Sequence, residues 1–239
     1  MRIARDEAEM LKMFSIASRE AEKAFKDPSV FIEKYIENPK HIEFQILGDT
    51  KGNIIHLGER ECSIQRKHQK LLEEAPSAAL DPALRKKMGA MAVRIAKAVN
   101  YHSAGTVEFL LDSDKNFYFM EMNTRIQVEH PITEQVIDYD LIREQILVAA
   151  GVPISGKNYL PQLHSIECRI NAEDPNNNFM PSPGKITVYH PPGGPGIRVD
   201  SHIYQSYTVP SCYDSLLSKV ISYGDTREVA IARMLNALN

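Results

Sequence analysis

The chain has 239 residues, of which 43% are hydrophobic and 25% are charged, and its formal net charge is −3. These values are typical of a compact globular protein and exclude the disordered, collagen-like and coiled-coil classes. The charge gives no field that would attract nucleic acid or an anionic membrane, and no apolar run is long enough to span a bilayer.

The cysteine pattern gives no sign of a disulfide framework or a zinc site. Cys62, Cys168 and Cys212 are odd in number and far apart, and none belongs to a Cys-x-x-Cys spacing. Reduced cysteines are usual in intracellular proteins. The sequence therefore predicts a cytoplasmic protein that binds neither nucleic acid nor membrane.

The first part of the chain is predicted to contain one surface helix and then a sheet with a hairpin. Residues 6–25 are rich in helix formers, and Asp27-Pro28 ends the pattern. The sheet signals are an apolar run at residues 30–36 and a run of alternating apolar and polar residues at 41–47. A turn at 49–53 then leads to a return strand at 54–57.

The remainder is predicted to combine three further helices with short strands. Asp81-Pro82 has the N-cap and first-turn residues of a helix, and residues 140–150 form the next helix, which Gly151 ends. A last helix begins near Asp225. Strand signals lie at residues 105–111, 117–122, 164–170, 185–189 and 219–223. The pattern as a whole predicts an α+β fold.

The strand pair that begins at residue 105 carries two carboxylates that a symmetric hairpin would bring together. Such a hairpin pairs Leu110 with Phe119 and Glu108 with Glu121, about 5 Å apart at their Cβ atoms. Like charges at that distance repel unless a proton or a cation lies between them, and Asn123 adds an amide on the same face as Glu121. This set predicts a Mg²⁺ or Mn²⁺ site, and the alternative is that each glutamate faces solvent.

The loop at residues 123–131 follows this strand and clusters a guanidinium, an amide and a carboxylate. Arg125 could bind a carboxylate or bicarbonate with two hydrogen bonds, and Glu129 could act as a general base. A salt bridge would explain both residues equally well.

A basic loop at residues 65–70 is flanked by acidic residues and has no interleaved aromatic residues. Its composition alone favours a solvated charged loop. The alternative is an anion-binding surface on which His68 and Lys70 neutralise phosphate oxygens.

Four segments in order resemble the biotin carboxylase family of ATP-grasp enzymes, which occur in acetyl-CoA, pyruvate and propionyl-CoA carboxylases. The segments are EKYIENPKH at 33–41, ERECS leading to EEAP within 59–76, MEMNTRIQVEHPITE at 120–134 and ECRINAEDP at 167–175. The resemblance runs across essentially the whole sequence.

The resemblance implies an ATP-grasp fold with a mixed or antiparallel sheet. Residues 1–35 would be the end of the ATP-grasp lid, residues 36–150 the catalytic core, and residues 151–239 an incomplete C-terminal region of the catalytic domain. It also implies that a Gly-rich phosphate loop and two ATP-contacting lysines precede Met1, so the chain alone is expected to bind ATP weakly and turn over little.

The resemblance also assigns a role to each candidate site residue. The ATP-binding residues would be Glu33, Lys34, Ile36 (where the family often has Leu), His41, Gln65, His68, Glu108, Leu110 and Glu121. Two metal ions would be held by Glu108, Glu121 and Asn123. Bicarbonate would be bound by Lys70, Arg125, Gln127, Val128 and Glu129. The catalytic residues would be Lys70, Arg125, Glu129 and Arg169, and Arg169 would stabilise the enolate-like form of biotin.

The implied reaction is ATP-dependent carboxylation of biotin by bicarbonate through carboxyphosphate, with biotin held on biotin carboxyl carrier protein. The implied partners are that carrier, a carboxyltransferase component and a second copy of the protein in a homodimer. Two alternatives remain: another bicarbonate-phosphorylating ATP-grasp ligase such as a carbamoyl-phosphate synthetase, and a nucleotide-binding fragment without turnover. Arg169 and its segment argue against the first alternative.

Overall fold

The computed structural model describes residues 2–154 and 157–239, and the chain divides into two compact units, Met1–Asn38 and Pro39–Asn239. The first unit contains helix α1 (Glu7–Phe25). The carboxylate of Asp6 accepts a hydrogen bond from the backbone N–H of Glu9 at 2.8 Å, so it caps the helix. The predicted first helix is therefore confirmed.

The strand predicted at residues 30–36 is wrong, because residues 27–36 have no regular secondary structure. Its apolar side chains are largely exposed, with Phe31 at 82% and Ile32 at 66%. A strand needs a neighbour to pair its backbone groups, and the described residues of the first unit contain no strand.

The second unit is built on an eight-stranded sheet. The strands in chain order are β1 (Lys40–Gly48), β2 (Ile54–Arg66), β3 (Gln69–Ala75), β4 (Ser103–Leu111), β5 (Phe117–Asn123), β6 (His164–Asn171), β7 (Glu173–Asp174), β8 (Met180–Pro181), β9 (Gly184–Lys185), β10 (Ile197–Ser201), β11 (Thr208–Val209) and β12 (Leu216–Gly224). The large sheet has the order β10-β12-β6-β3-β2-β1-β4-β5, and all neighbours in it are antiparallel. Two small sheets pair β9 with β11 and β7 with β8.

Helices cover both faces of this sheet. The α2 face is covered by α2 (Pro82–Ala98) and α5 (Arg227–Leu238), which pack on the side chains of Ile42, Phe44 and Ile166 and their neighbours. The α3 face is covered in part by α3 (His130–Ile137) and α4 (Leu141–Ala149). Alternate residues of each strand therefore point to different faces, and the charged residues discussed below lie on the α3 face. No helix in the described part of the chain is long and apolar enough to cross a membrane.

Among the described residues, the sequence analysis missed the strands β3, β7, β8, β10 and β11 and the helix α3. The charged loop at residues 65–70 is a tight hairpin turn, in which Lys67 and His68 have φ of 50° and 66° and connect β2 to β3. The acidic residues on either side of it therefore lie on strands and are buried. The strand predicted at residues 185–189 is reduced to Gly184–Lys185, and residues 186–189 form no strand.

Candidate active site

The hairpin of β4 and β5 brings the two predicted carboxylates opposite each other. Glu108 pairs with Glu121 in the observed register, as predicted. The rest of the predicted register is wrong, because Leu110 pairs with Tyr118 and not with Phe119. Met120 is an additional residue between the Glu108 and Phe109 pairs, and this bulge restores the pairing of the glutamates.

The side chain of Asn123 joins these two carboxylates. Its Nδ2 atom donates to Oε1 of Glu108 and to Oε1 of Glu121, at 3.0 Å in each case. The amide therefore lies where two carboxylate oxygens converge, and rotation by half a turn would present its Oδ1 atom instead. Two carboxylates and an amide oxygen are ligands suited to a hard divalent cation, so the residues fit the predicted metal site.

Glu108 is buried and makes hydrogen bonds with four side chains. His41 Nε2 lies 2.6 Å from its Oε2 atom, and Gln127 Nε2 donates to its Oε1 atom at 2.8 Å. Burial acts to raise the pKa of Glu108, but the hydrogen bond from His41 and the charge of Lys70 outweigh it and lower the pKa to about 2. Glu108 is therefore ionised near neutral pH and suited to bind a cation.

A second bulge places Lys70 on the same face as Glu108. Leu71 is the additional residue of β3 between the Leu72–Ile64 and Lys70–Gln65 pairs. The Lys70 ammonium donates to Glu43, to Glu129 at 2.7 Å and to Glu108 at 3.1 Å. Burial acts to lower the pKa of Lys70, but the charges of these carboxylates raise it above its ordinary value. Lys70 therefore remains a cation surrounded by three carboxylates.

Below Lys70, Arg60 is completely buried, and all five of its N–H donors are used. It donates to the side chains of Glu43, Gln45, Thr106, Gln127 and Thr133. The charges of Arg60 and Lys70 outweigh the effect of burial on Glu43 and lower its pKa to about 2. This network ties together side chains of β1, β2, β4, α3 and the loop between β5 and α3 beneath the site.

The loop at residues 124–129 lies between β5 and α3 and ends at Glu129. Its Val128 carbonyl accepts a hydrogen bond from Lys219 Nζ at 2.8 Å, which holds the loop on β12. Glu129 is 2% exposed and accepts from Lys70 on one oxygen and from Arg169 Nη2 on the other, at 2.9 Å. Arg125 is exposed and donates to the Ile126 carbonyl at 3.2 Å.

A cavity of about 250 Å³ opens where these elements meet. Its lining residues are His68, Gln69, Lys70, Glu108, Arg125, Gln127, Val128, Glu129, Arg169, Asn171, Asp214 and Leu216. The three cations among them, Lys70, Arg125 and Arg169, suit a small anion. Glu129 lies between two of these cations and is placed to accept a proton from a bound anion.

The structure brings all of the predicted bicarbonate-site residues and Arg169 together at the cavity, and it places His68 and Glu108, two of the predicted ATP residues, in the same lining. His41 and Gln65 are hydrogen-bonded to each other, at 2.8 Å between Nδ1 and Nε2. His68 is at the exposed hairpin turn, and Leu110 lies on β4. Glu33, Lys34 and Ile36 belong to the first unit.

Several residues of the site were missed by the sequence analysis: Glu43, Arg60, Glu73, Asn171 and Asp214. Glu43 alternates with apolar residues along β1, and Arg60 lies in the charged run Glu59-Arg60-Glu61 of β2, and both patterns usually indicate a solvent-facing side. They are buried because a partner from another strand neutralises each of them. Of the other three, Glu73 and Asn171 lie within the segments that resemble the family, and Asp214 lies in none of them.

Two family models match the chain. Residues 1–157 match the carbamoyl-phosphate synthase L chain ATP binding domain, and residues 167–239 match the biotin carboxylase C-terminal domain. The biotin carboxylase of Nostoc sp. is 58% identical over the whole chain, which covers 54% of that protein. The chain thus spans about half the length of the curated relatives it matches.

Solved structures agree with these matches. The biotin carboxylase domain of a thermophilic 2-oxoglutarate carboxylase, bound to bicarbonate, is 51% identical with a TM-score of 0.94, over 99% of this chain and 54% of that one. The Hydrogenobacter thermophilus 2-oxoglutarate carboxylase domain is a dimer in complex with MgADP, ADP and bicarbonate. It is 51% identical with a TM-score of 0.92, over 99% of this chain and 53% of that one. The ATP-grasp fold predicted from the sequence is confirmed, and this chain belongs to the biotin carboxylase family.

Proposed function

We propose that this chain forms part of an enzyme that carboxylates biotin with bicarbonate and ATP, the first half-reaction of a biotin-dependent carboxylase. The observation that carries the proposal is the cavity in which Lys70, Arg125, Glu129 and Arg169 adjoin the Glu108, Glu121 and Asn123 cluster. The bicarbonate and MgADP complexes of the similar domains support the same substrates here.

In the first step, Arg125, Gln127 and the backbone at Val128 bind bicarbonate, and Glu129 removes its proton. The bicarbonate oxygen then attacks the γ-phosphorus of ATP, the bond to the bridging oxygen of ADP breaks, and carboxyphosphate forms. Lys70 offsets the negative charge that gathers on the transferred phosphoryl group. Its contacts with three carboxylates hold its ammonium at the edge of the cavity.

Glu108, Glu121 and Asn123 would hold two Mg²⁺ or Mn²⁺ ions, which when bound neutralise the phosphate oxygens of ATP. Glu108 is ionised and held by His41, so it offers a fixed charge on one side of the cluster. Glu121 is exposed and can adjust its position.

In the second step, carboxyphosphate breaks down to carbon dioxide and phosphate. The phosphate removes the proton of the biotin ureido N1 atom, and this nitrogen then attacks carbon dioxide to give carboxybiotin. Arg169 stabilises the developing ureido oxyanion. It lies on the cavity wall, where Glu73 and Glu129 hold its guanidinium.

We further propose the remaining assignments that the resemblance suggests. Residues 1–35 belong to the lid, residues 36–150 to the core and residues 151–239 to the C-terminal region. The nucleotide contacts are Glu33, Lys34, Ile36, His41, Gln65, His68 and Leu110. The partners are biotin carboxyl carrier protein, a carboxyltransferase and a second copy of the protein. The three unpaired cysteines support a reducing, cytoplasmic location.

The proposal is tested by measuring phosphate release from ATP by the protein that the complete gene encodes. We expect release to require bicarbonate and to be stimulated by free biotin, with labelled bicarbonate appearing in carboxybiotin. ATP hydrolysis without incorporation of label into biotin would contradict it.

A carbamoyl-phosphate synthetase-like ligase is the second candidate, because residues 1–157 match a domain model named after that enzyme. It would phosphorylate bicarbonate in the same cavity but would use ammonia in place of biotin. The match of residues 167–239 and the position of Arg169 favour biotin. Ammonia-dependent carbamate formation in the same assay would reverse this choice.

A further inference from the structure

Two buried glutamates lie beneath Arg169 and take no part in the bond changes of the proposed reaction. Glu73 of β3 and Glu167 of β6 stand directly opposite each other in the sheet, and both are 0% exposed. Glu73 Oε1 accepts from Arg169 Nε at 2.7 Å. Among the described residues, neither Oε2 of Glu73 nor either oxygen of Glu167 has a hydrogen-bond partner.

Two ionised carboxylates in this arrangement would be strongly unfavourable, because burial removes the water that would solvate them. Burial raises the pKa of Glu73 to about 7, although the charge of Arg169 acts to lower it. Burial and the charge of Glu73 raise the pKa of Glu167 well above its ordinary value. The pair therefore carries at least one proton near neutral pH.

The other charged groups around Glu167 do not compensate for a second negative charge. Lys219 of β12 is directed to the Val128 carbonyl, and Arg169 of β6 is shared by Glu73 and Glu129. From α3, His130 bonds the Gln127 carbonyl, and Glu134 bonds Arg198. A proton shared by the two glutamates would form a hydrogen bond between one oxygen of each. This bond would need none of the groups named above.

We propose that Glu73 and Glu167 share one proton and act together as positioning residues for Arg169. A single negative charge on the pair anchors Nε of Arg169 and leaves Nη1, which no hydrogen bond in the described chain occupies, for the substrate anion in the cavity. Loss of the shared proton adds a second negative charge under the guanidinium and draws it away from the cavity. The contact between Arg169 and the substrate anion rests on the proposed function, whereas the shared proton does not.

The shared proton is tested by NMR on protein labelled at the glutamate carboxyl carbons and the arginine side-chain nitrogens. We expect one carboxyl of the pair to remain protonated at pH 7 and to titrate at higher pH, and the Arg169 Nε–H signal to follow the same titration. In Glu167→Gln, Glu73 should titrate at lower pH and the Arg169 signal should no longer move. Two carboxylates ionised at pH 7, or an Arg169 signal unchanged by pH in the wild type, would overturn the proposal.

Glu59→Gln is the matched control, because Glu59 is a buried glutamate bonded to an arginine, Arg85, on the opposite face of the sheet. We expect it to leave both NMR titrations unchanged.

In activity assays, biotin-dependent turnover of the wild type should fall by up to about tenfold per pH unit above the pKa measured for the pair. Glu167→Gln should lack this alkaline fall. A wild type without biotin-dependent turnover would contradict the proposed function, whereas the NMR titrations would still decide whether the pair holds a proton and positions Arg169.

Discussion

The two faces of the central sheet bury charge in different ways, although they use alternate residues of the same strands. On the α2 face, Glu59 is held by one arginine side chain, Arg85, within a largely apolar layer. On the α3 face, the next residue, Arg60, starts a continuous network that passes through Glu43 and Lys70 to the cavity. The α2 face therefore contributes to stability alone, whereas the α3 face contributes to stability and also positions charged groups for chemistry. Substitutions on the α2 face should change stability and leave turnover per folded molecule unchanged, and those in the Arg60 network should change both.

The largest loss of stability is expected from Arg60→Met. The substitution leaves Glu43 and four polar side chains without their buried donor. Removing one partner of a buried ion pair reduces the free energy of unfolding by about 3–5 kcal/mol. Urea unfolding at pH 7 measures this change, and turnover should be lost with it.

Arg85→Met is the matched variant on the α2 face. The Arg85 side chain is 18% exposed, whereas that of Arg60 is 0% exposed, so water can replace part of the lost interaction with Glu59. We expect a smaller loss of stability and little change in turnover. Equal losses in the two variants would contradict the distinction between the faces.

Glu121→Gln should show the reverse of Arg85→Met, with normal stability and almost no turnover. Glu121 is exposed, so the fold does not depend on it, but the substitution removes one proposed metal-binding charge. Altering residues that only support metal ligands typically costs about 10–100-fold, so for a direct ligand we expect turnover to fall by about 100-fold or more. The measurement is bicarbonate-dependent ATP hydrolysis at several magnesium concentrations.

Asp114→Asn removes an exposed carboxylate from the turn of the same hairpin and is the control for charge alone. It should behave like the wild type. Near-normal activity of Glu121→Gln at saturating magnesium would exclude Glu121 as a metal ligand.

Arg169→Ala should impair the two half-reactions unequally. Its proposed substrate contact is the biotin oxyanion, so biotin carboxylation should fall at least tenfold more than bicarbonate-dependent ATP hydrolysis. Arg227→Ala, which removes the side chain of the first residue of α5 and its bond to Glu74 of β3, should leave the ratio of the two rates unchanged. An equal loss of both rates in Arg169→Ala would indicate a structural role.

Much of the fold could be predicted from the sequence, because most elements have strong local signals. α1 and α2 have aspartate caps, and β4 and β5 flank a turn that Asp112 organises through its own hydrogen bonds. β3 was missed because its charged residues resemble a solvated loop. They are buried only because strands distant in sequence, such as β6, supply the other side.

The candidate site was predictable where the family motifs name its residues and not where distant strands complete it. The pairing of Glu108 with Glu121 followed from hairpin symmetry, but the bulge at Met120 that makes it possible did not. The network at Arg60 and the pair of Glu73 and Glu167 depend on strand order, which the sequence pattern does not contain. These carboxylates are buried close together only because β1, β3, β6 and β12 each supply side chains to the same region of the sheet.

The smallest effect is expected from Asp81→Ala, at the start of α2. The Asp81 carboxylate accepts a hydrogen bond from the backbone N–H of Leu84 at 2.8 Å and caps the helix. Losing an N-cap of this kind reduces the free energy of unfolding by about 1 kcal/mol. Since α2 packs on the face opposite the cavity, turnover per folded molecule should be unchanged, and Asp81→Asn, which keeps a capping oxygen, should recover most of the stability. Thermal unfolding and ATP hydrolysis measured on the same samples check both expectations. A loss of turnover that exceeds the loss of folded protein would show that the two faces are coupled more tightly than their separate hydrogen-bond networks indicate.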